Sequence, residues 1–261
     1  MKRRVALFFD HSVPHTTGHY WAGGFRQLGC GVTVLYPSQA ASLAPGSYDL
    51  FLSIDDATHY LFPGHLHPSA FSLSDTHMGY RADRVMARWF DFIFCVHKDG
   101  AARLKQDGIP RVSWVPVACA PELHVEPAAS KRYDVAFVGG EGWGRRRRLV
   151  RTVRERFPNA YIGRASPRDM AGIYSESRIV FNCGIKNDLN MRVFEALASG
   201  ACLVTNLDAA GLADLFEPGV HFAGYETDEE AIGQIERYLR DDAAREAIAR
   251  AGRAEVLAKH T

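Results

Sequence analysis

The sequence has no run of about 20 apolar residues, the length that a membrane-spanning helix needs. Its formal net charge is only +1, which argues against a basic nucleic-acid-binding surface and against an acidic tail. The basic N-terminus is followed by an apolar run that stops at Asp10, too early for a secretion signal. We therefore predict no transmembrane segment and no nucleic-acid partner.

Cysteine is also scarce, with five residues and no Cys-x-x-Cys pair. An odd number without close spacing fits neither a disulfide framework nor a common zinc motif. Three of the five lie in or directly beside apolar segments that we predict to be strands, so we interpret the cysteines as reduced core residues and expect a cytoplasmic protein. They are Cys30, Cys95, Cys119, Cys183 and Cys202.

What the chain does have is an alternation of short β-branched or aromatic runs with longer amphipathic segments. This alternation is typical of α/β proteins with a parallel sheet and crossover helices. The predicted strands of the first half are Val5–Phe9, Val32–Tyr36, Leu50–Ile54, Ala70–Leu73, Phe92–Val96 and Ser113–Val117. Those of the second half are Asp134–Val138, Ala160–Ile162, Ile179–Asn182, Cys202–Thr205 and Phe222–Tyr225.

The two sets of strands are separated by Pro121–Arg132, which is rich in proline, alanine and charge. With a length of 261 residues, the chain is suited to two domains of roughly 120–130 residues. We place the boundary near residue 128, giving domains 1–128 and 129–261. In the second domain we predict helices at Asp169–Ser177, capped by Ser166, and at Asp228–Leu239 and Asp241–Lys259.

The most informative segment is Asn182–Thr205, in which a buried strand, a polar loop, a helix and a second strand follow each other. The N-terminus of such a helix binds anions because its first N–H groups have no partner inside the helix. Lys186 and Arg192 flank this point, although a cation there is disfavoured by roughly 0.3–1 kcal/mol unless an anion lies beside it. With Glu195 one turn further, the layout fits a diphosphate and ribose hydroxyls.

Two further groups of residues are candidates. Gly139 and Gly140 begin a glycine-rich loop that leads into Arg145–Arg148, and we expect Arg145 or Arg146 to reach a ligand there. The loop lacks the G-x-G-x-x-G spacing, so it is a weak dinucleotide fingerprint. Asp75 and His77 follow a predicted strand, at the sheet edge where α/β proteins bind ligands. The alternative roles are a helix cap for Asp75 and a surface position for His77.

The chain resembles bacterial group 1 glycosyltransferases, especially the spore-coat glycosyltransferase-like branch. The resemblance is carried in the first half by SLSDTHMGYRADRVMARWFDFIFCVHKDG and GIPRVSWVPVACAPELH. In the second half it is carried by YDVAFVGG, SESRIVFNCGIKNDLNMRVFEALASGACLVTN and DLFEPGVHFAGY. It implies two Rossmann-like domains facing a cleft (the GT-B fold), with the donor in the C-terminal domain and the acceptor in the N-terminal one.

The resemblance also implies transfer from a nucleoside diphosphate sugar with retention of configuration, without a cofactor and without an obligatory metal. The absence of a D-x-D motif agrees with the last point. The implied donor-binding residues are Gly139, Gly140, Arg145, Lys186, Asn187, Asn190, Met191, Arg192 and Glu195. The implied catalytic residues are Asp188, His77 and Asp75.

Two alternative functions and two alternative residue roles are considered at this stage. Many relatives have a glutamate where this chain has Asn187, and their pattern continues past Thr261 with an aromatic and basic tail, so a donor-binding protein without turnover is possible. A nicotinamide-dependent oxidoreductase is disfavoured because Arg164 stands where an acidic residue would bind the ribose. Asp188 could instead be a helix cap, and Glu195 a solvent-facing carboxylate. The sequence leaves the sugar, the base and the acceptor undetermined.

Overall fold

A computed structural model describes residues 2–55, 61–124 and 130–261. The chain divides into two compact units, Met1–Pro116 (unit 1) and Val117–Thr261 (unit 2). The predicted boundary near residue 128 lies outside the described residues, so the ranges 1–128 and 129–261 stay a prediction.

Unit 1 contains a six-stranded parallel sheet with the strand order β2-β1-β3-β4-β5-β6. Its strands are β1 (Arg4–Phe8), β2 (Gly31–Leu35), β3 (Leu50–Ile54), β4 (Ser69–Leu73), β5 (Phe92–Cys95) and β6 (Val112–Trp114). Its helices are α1 (Gly18–Gln27), α2 (Thr76–Ala87) and α3 (Lys98–Gln106), with a 3₁₀ turn at Pro37–Ser42.

Unit 2 contains a five-stranded parallel sheet with the order β11-β10-β9-β7-β8. Its strands are β7 (Tyr133–Val138), β8 (Ala160–Gly163), β9 (Ser177–Phe181), β10 (Cys202–Asn206) and β11 (Ala223–Tyr225). Its helices are α4 (Gly144–Arg156), α5 (Pro167–Ser175), α6 (Met191–Ala198), α7 (Leu212–Leu215), α8 (Asp228–Arg240) and α9 (Asp242–Lys259).

Both sheets have a topological switch point next to their first strand. In unit 1 the chain adds β2 on one side of β1 and β3 on the other, and in unit 2 it adds β8 and β9 on the two sides of β7. The crossover helices on either side of such a strand diverge, which leaves a crevice at the carboxyl ends of the strands. Each unit therefore offers one natural ligand position, between β1 and β3 or between β7 and β9.

The cores confirm the predicted strands, whose positions agree with the structure to within a few residues at each end. The side chains of the inner strands are buried on both faces, as expected for parallel sheets covered by helices, while the edge strands β2 and β8 are half-buried. Phe8, Phe51 and Phe71 lie in the core of unit 1, and Phe137 and Phe181 lie in that of unit 2. Burying each such side chain contributes roughly 1.5–3 kcal/mol.

The predicted helix signals also have their structural counterparts. Ser166 caps α5 by accepting a hydrogen bond from the Asp169 N–H, and Thr227 forms a capping box with Glu230 at α8. Cys30 is half-buried and the other four cysteines are buried. No helix in the described part of the chain is long and apolar enough to cross a membrane.

The end of the chain packs back onto unit 2. The Cys119 N–H donates to the His260 carbonyl at 3.0 Å, and the His260 ring lies 4.9 Å from that of Phe216. These contacts fix the C-terminal helix α9 against the body of the unit, where it packs on α6. The helix that carries the most informative motif is thus held in place by the last helix of the sequence.

Candidate active site

The switch point of unit 2 brings together the segments that the sequence singled out. Gly139 and Gly140 follow β7, and residues 182–190 follow β9 and lead into α6. Because β7 and β9 are paired in the sheet, both loops begin at the same edge. An added Cβ at Gly142 would lie 3.0 Å from Ile185 Cδ1, so the two loops also touch further out.

Arg192, in the first turn of α6, ties the two strands together at this edge. Its Nε and Nη2 groups donate to the Val138 carbonyl at 2.9 and 2.8 Å, and Nη1 donates to Asn182 Oδ1 at 2.6 Å. The guanidinium lies over the Phe137 ring, 4.3 Å from its centroid, and is buried. A Cβ on Gly139 would clash with Arg192 Nη2, so glycine is required there for close approach.

Arg146 brings a second guanidinium to the same place. It donates to the Gly140 carbonyl at 2.6 Å and lies 5.2 Å from the Phe137 centroid, and its buried Nε has no hydrogen-bond partner among the described residues. Burial, and then repulsion from Arg192, lower the pKa of Arg146 to about 10. A buried and a half-buried cation that lie side by side, each bonded to a neutral carbonyl group, form a site that favours an anion.

The loop between β9 and α6 has an unusual backbone. Lys186 and Asn187 both adopt left-handed conformations, with φ of 50° and 62°, and both are exposed. Consecutive left-handed residues other than glycine are strained, and such strain concentrates at binding sites. The Asn187 carbonyl is held by the Ala210 N–H at 3.2 Å, and the Asp188 carboxylate partly offsets the repulsion at Arg146.

The helix cap of α6 is also unusual. Its N-cap is Asn190, so the interpretation of Asp188 as the cap is wrong. Asn190 makes no side-chain cap bond, and both its amide nitrogen and its amide oxygen are buried without a hydrogen-bond partner among the described residues. Leaving such a group unsatisfied costs roughly 1–3 kcal/mol, which a ligand with hydroxyl groups would recover. Met191, the next residue, is half-buried.

Glu195 lies further along α6 and is 9% exposed, so it is not a solvent-facing carboxylate. Burial, and then the neighbouring carboxylates including Glu195, raise the pKa of the Cys119 thiol to about 11. Burial raises the pKa of Tyr174, and the Glu195 charge adds to that shift. The carboxylate therefore lies in the interior of unit 2, on the helix that Arg192 anchors.

Arg145 has different neighbours from Arg146. It donates from Nε to Asp228 Oδ1 and from Nη2 to the Glu226 carbonyl, both at 2.6 Å. These contacts direct it to the segment between β11 and α8. Of the two arginines, Arg146 is the one that lies at Gly139 and Gly140, while a role of Arg145 in donor binding stays a prediction.

In unit 1, the candidate residues lie at the carboxyl ends of β4 and β5. Asp75 is the N-cap of α2 but makes no side-chain cap bond, and its Oδ1 lies 4.0 Å from His77 Nδ1. His77 Nδ1 lies 3.2 Å from His97 Nδ1, which is also 3.2 Å from Thr76 Oγ1. The side chain of His77 is only 15% exposed, so the surface interpretation of this residue is wrong.

Sequence reasoning did not single out His97 or Asn182. His97 directly follows the β5 region, so the rule that selected Asp75 and His77 also applies to it. Asn182 directly follows β9, and its amide bonds both Arg192 and Thr205. Its importance depends on a partner ten residues away, and a single sequence carries no signal for that pairing.

Comparison with known proteins assigns the sequence of this region to a family. The sequence profile described as "Glycosyl transferase-like" matches residues 121–261, which is more than half of the chain. The chain belongs to this glycosyl transferase-like family. It is therefore a glycosyltransferase, and the matched segment contains the whole switch point of unit 2. No curated protein matches the sequence significantly.

Solved structures confirm that this glycosyltransferase has the GT-B fold. Sucrose-phosphate synthase from Thermosynechococcus elongatus is similar with a TM-score of 0.69 and 13% identity, over 100% of this chain and 95% of that chain. Anabaena Alr3699/HepE in complex with UDP and glucose gives 0.70 and 12%, over 99% and 95%. An alpha-glucosyltransferase in complex with UDP-glucose and DNA gives 0.69 and 11%, over 100% and 96%.

Proposed function

We propose that this glycosyltransferase takes its sugar from a nucleoside diphosphate sugar bound at the switch point of unit 2. The observation that carries the proposal is a pair of neighbouring guanidiniums beside Gly139, that of the buried Arg192 and that of the half-buried Arg146. Two guanidiniums that repel each other are stabilised by a ligand with at least two negative charges. A diphosphate supplies those charges in a shape that arginine recognises through paired hydrogen bonds.

The same arrangement explains how the bond to the sugar would break. The leaving diphosphate develops negative charge as it departs, and fixed cations together with the N-terminus of α6 stabilise that charge. These groups supply what a divalent metal supplies in other transferases, so we propose a metal-independent reaction without a further cofactor. Arg192 cannot move freely because Val138 and Asn182 hold it, which makes the site preorganised.

The remaining donor contacts follow from position on the loop and on α6. The unsatisfied amide of Asn190 suits hydroxyl groups of the donor. By the resemblance, Glu195 binds the ribose, and Lys186, Asn187 and Met191 complete the donor site. Two of the similar solved structures contain UDP or UDP-glucose, so uridine is the first base to test.

We further propose that unit 1 binds the acceptor and that configuration is retained. Asp75 and His77 would contact the transferred sugar or remove the proton of the acceptor hydroxyl, and Asp188 would face the sugar in place of the glutamate of relatives. The leaving diphosphate can share in this deprotonation. The chemical nature of the acceptor, the spore-coat branch and the cytoplasmic location stay predictions.

The donor proposal is tested by titrating UDP, GDP, TDP, CMP and NADPH in thermal-shift and calorimetric assays. We compare wild type with Arg146→Met, Glu195→Ala and the control Arg148→Met, an exposed arginine of the same helix. One nucleoside diphosphate should bind wild type and Arg148→Met, with affinity reduced by at least about tenfold in Arg146→Met. Equal binding by Arg146→Met and wild type contradicts the proposal, as does stabilisation by NADPH alone.

Turnover is tested separately, because a protein that only binds the donor would pass the first assay. The bound nucleotide is offered as its sugar conjugate, and release of free nucleoside diphosphate is followed with and without EDTA. Release that persists in EDTA supports a metal-independent transferase. Binding without any release, across simple sugar and glycoside acceptors, would favour a donor-binding protein without turnover.

A further inference from the structure

Two histidines of unit 1 are brought together by the register of its sheet. In the β4–β5 pair, Leu73 lies opposite Cys95, so the residues that follow both strands emerge side by side. His77 lies in the first turn of α2, and His97 is the N-cap of α3. Their Nδ1 atoms are 3.2 Å apart, which is hydrogen-bond distance.

Only one of these two nitrogens carries the proton of the hydrogen bond. The position of Asp75 favours His77 as the donor, because its carboxylate lies 4.0 Å from His77 Nδ1 and attracts an N–H there. His97 Nδ1 is then the acceptor. With the proton on Nδ1, the basic lone pair of His77 lies on Nε2.

We propose that His97 is a positioning residue that holds His77 in the tautomer with a proton on Nδ1. His97 is 6% exposed, so it acts through His77 rather than by touching the substrate. The inference rests on the proposed function in one respect, since it assumes that His77 serves the transfer reaction. A histidine in the opposite tautomer would present an N–H at Nε2 and could not accept the proton of an acceptor hydroxyl.

The surroundings of His97 are built to fix its ring and its backbone. Thr76 Oγ1 lies 3.2 Å from His97 Nδ1, and the Cys95 thiol donates to the His97 carbonyl at 3.3 Å. Gly100 leaves room for this arrangement, because a Cβ there would clash with Thr76 Oγ1. The position of the imidazole is thus set by packed neighbours on β5, α2 and α3.

The tautomer of His77 is directly measurable in the full chain by ¹⁵N NMR of histidine-labelled protein. His77→Gln identifies the His77 signals. In wild type, Nδ1 of His77 should have the shift of a protonated nitrogen and Nε2 that of an unprotonated one. In His97→Leu the fraction of His77 that is protonated on Nδ1 should fall. In His97→Gln it should persist, because the amide oxygen still accepts the hydrogen bond.

Transfer activity should follow the tautomer. His97→Leu should lose about 10- to 100-fold in kcat, and His97→Gln should recover most of that loss. His65→Leu is the matched control, since among the described residues this exposed histidine of unit 1 bonds the Leu43 carbonyl alone, and the change should alter neither signal nor rate. A wild-type His77 protonated on Nε2, or a His97→Leu variant with an unchanged His77 tautomer, overturns the proposal.

The two proposals fail in different ways. Nucleotide binding reports on unit 2 and should be the same in His97→Leu as in wild type. Absence of nucleotide binding in wild type would contradict the donor proposal and leave the NMR result standing. Should His97→Leu fold poorly, the ¹⁵N shifts of the wild-type protein still decide, because a His77 protonated on Nε2 overturns the proposal without any variant of His97.

Discussion

The sheets of units 1 and 2 start with the same topology, since in each the first strand lies between the second and the third. Their carboxyl edges nevertheless carry different chemistry. In unit 1 the strands are followed by carboxylates and imidazoles, namely Asp10, Asp55, Asp75, His77 and His97. In unit 2 they are followed by glycines and by a loop whose helix contributes Arg192, with Arg146 opposite it.

In unit 2 the candidate residues lie at the topological switch point, whereas in unit 1 Asp75, His77 and His97 follow β4 and β5, beyond the switch point between β1 and β3. The side chains, rather than the topology alone, therefore mark the candidate site of each unit. Imidazoles exchange protons near neutral pH, and both imidazoles and carboxylates bond hydroxyl groups, which fits the proposed acceptor side. Guanidiniums beside glycine backbone bind phosphates, which fits the proposed donor site. Five changes test this contrast, in order of decreasing expected effect.

The largest effect is expected from Arg192→Met, which removes the cation that joins β7 to β9. The Val138 carbonyl and the Asn182 amide lose charged hydrogen bonds, and we expect unfolding to become easier by about 3–4 kcal/mol. Nucleotide affinity should fall as well. Urea titration measures the first effect, and Arg148→Met, which should change stability by less than about 0.5 kcal/mol, is the control. If wild type and Arg192→Met have equal free energies of unfolding, the hydrogen bonds of Arg192 do not stabilise the fold.

The second effect is a pH dependence of the free energy of unfolding that comes from His124 in unit 2. Burial lowers the pKa of His124 to about 4, so the folded state binds fewer protons than the unfolded state between that value and 6.5. Stability is therefore complete above pH 6.5 and is lost as the pH falls to 4, by at most about 3 kcal/mol. Urea titrations at pH 7.5, 5.5 and 4.5 should show a smaller loss in His124→Asn, whose amide can still bond Ser199. An equal loss of stability in wild type and His124→Asn over this pH range would contradict the assignment to His124.

The third effect distinguishes two glycines of unit 2. Gly139 has φ of 139° and no room for a Cβ, so Gly139→Ala should cost about 2 kcal/mol and disturb nucleotide binding. Gly172 lies inside α5 with open space around it, and Gly172→Ala should stabilise by about 0.5–1 kcal/mol. Thermal unfolding shows whether each variant is more or less stable than wild type. If both variants change stability in the same direction, the close approach at Gly139 is ruled out.

The fourth effect compares two helix caps. Thr227 makes a full capping box, so Thr227→Ala should cost about 1 kcal/mol and leave nucleotide binding intact. Asn190 makes no cap bond, so Asn190→Ala should cost little or nothing in stability while weakening nucleotide binding. The opposite pattern, a large stability loss for Asn190→Ala with unchanged affinity, would assign this amide a purely structural role.

The smallest effect is a pH dependence of opposite sign in unit 1. The hydrogen bond to Asp91, followed by that to the Gly64 carbonyl, raises the pKa of His67. The contribution of His67 to the free energy of unfolding is present below pH 6.5 and is lost as the pH rises through the raised pKa. The ring is 56% exposed, so solvent screens the effect. Stability should decline slightly more in wild type than in His67→Gln between pH 6 and 8, and a steeper decline in the variant would contradict the assignment.

Much of the fold follows from the sequence because local patterns determine it. Apolar β-branched runs predict the strands, and Ser166 before Pro167 predicts the start of α5 through a cap that involves only neighbouring residues. The helix after Asn190 is predicted by the same local logic. The domain boundary near residue 128 stays a prediction, since composition marks a linker region without fixing its position.

The sequence by itself determined the parallel α/β class, the loop and helix at which we propose that an anion binds, and the residue types available there. Only the tertiary structure shows that Arg146 lies at Gly140 while Arg145 lies at Asp228, because both arginines are on α4 and their neighbours come from distant segments. It alone placed His97 against His77, since that contact depends on the register of β4 and β5. Contacts between distant segments depend on the spacing of packed elements, and no local pattern encodes that spacing.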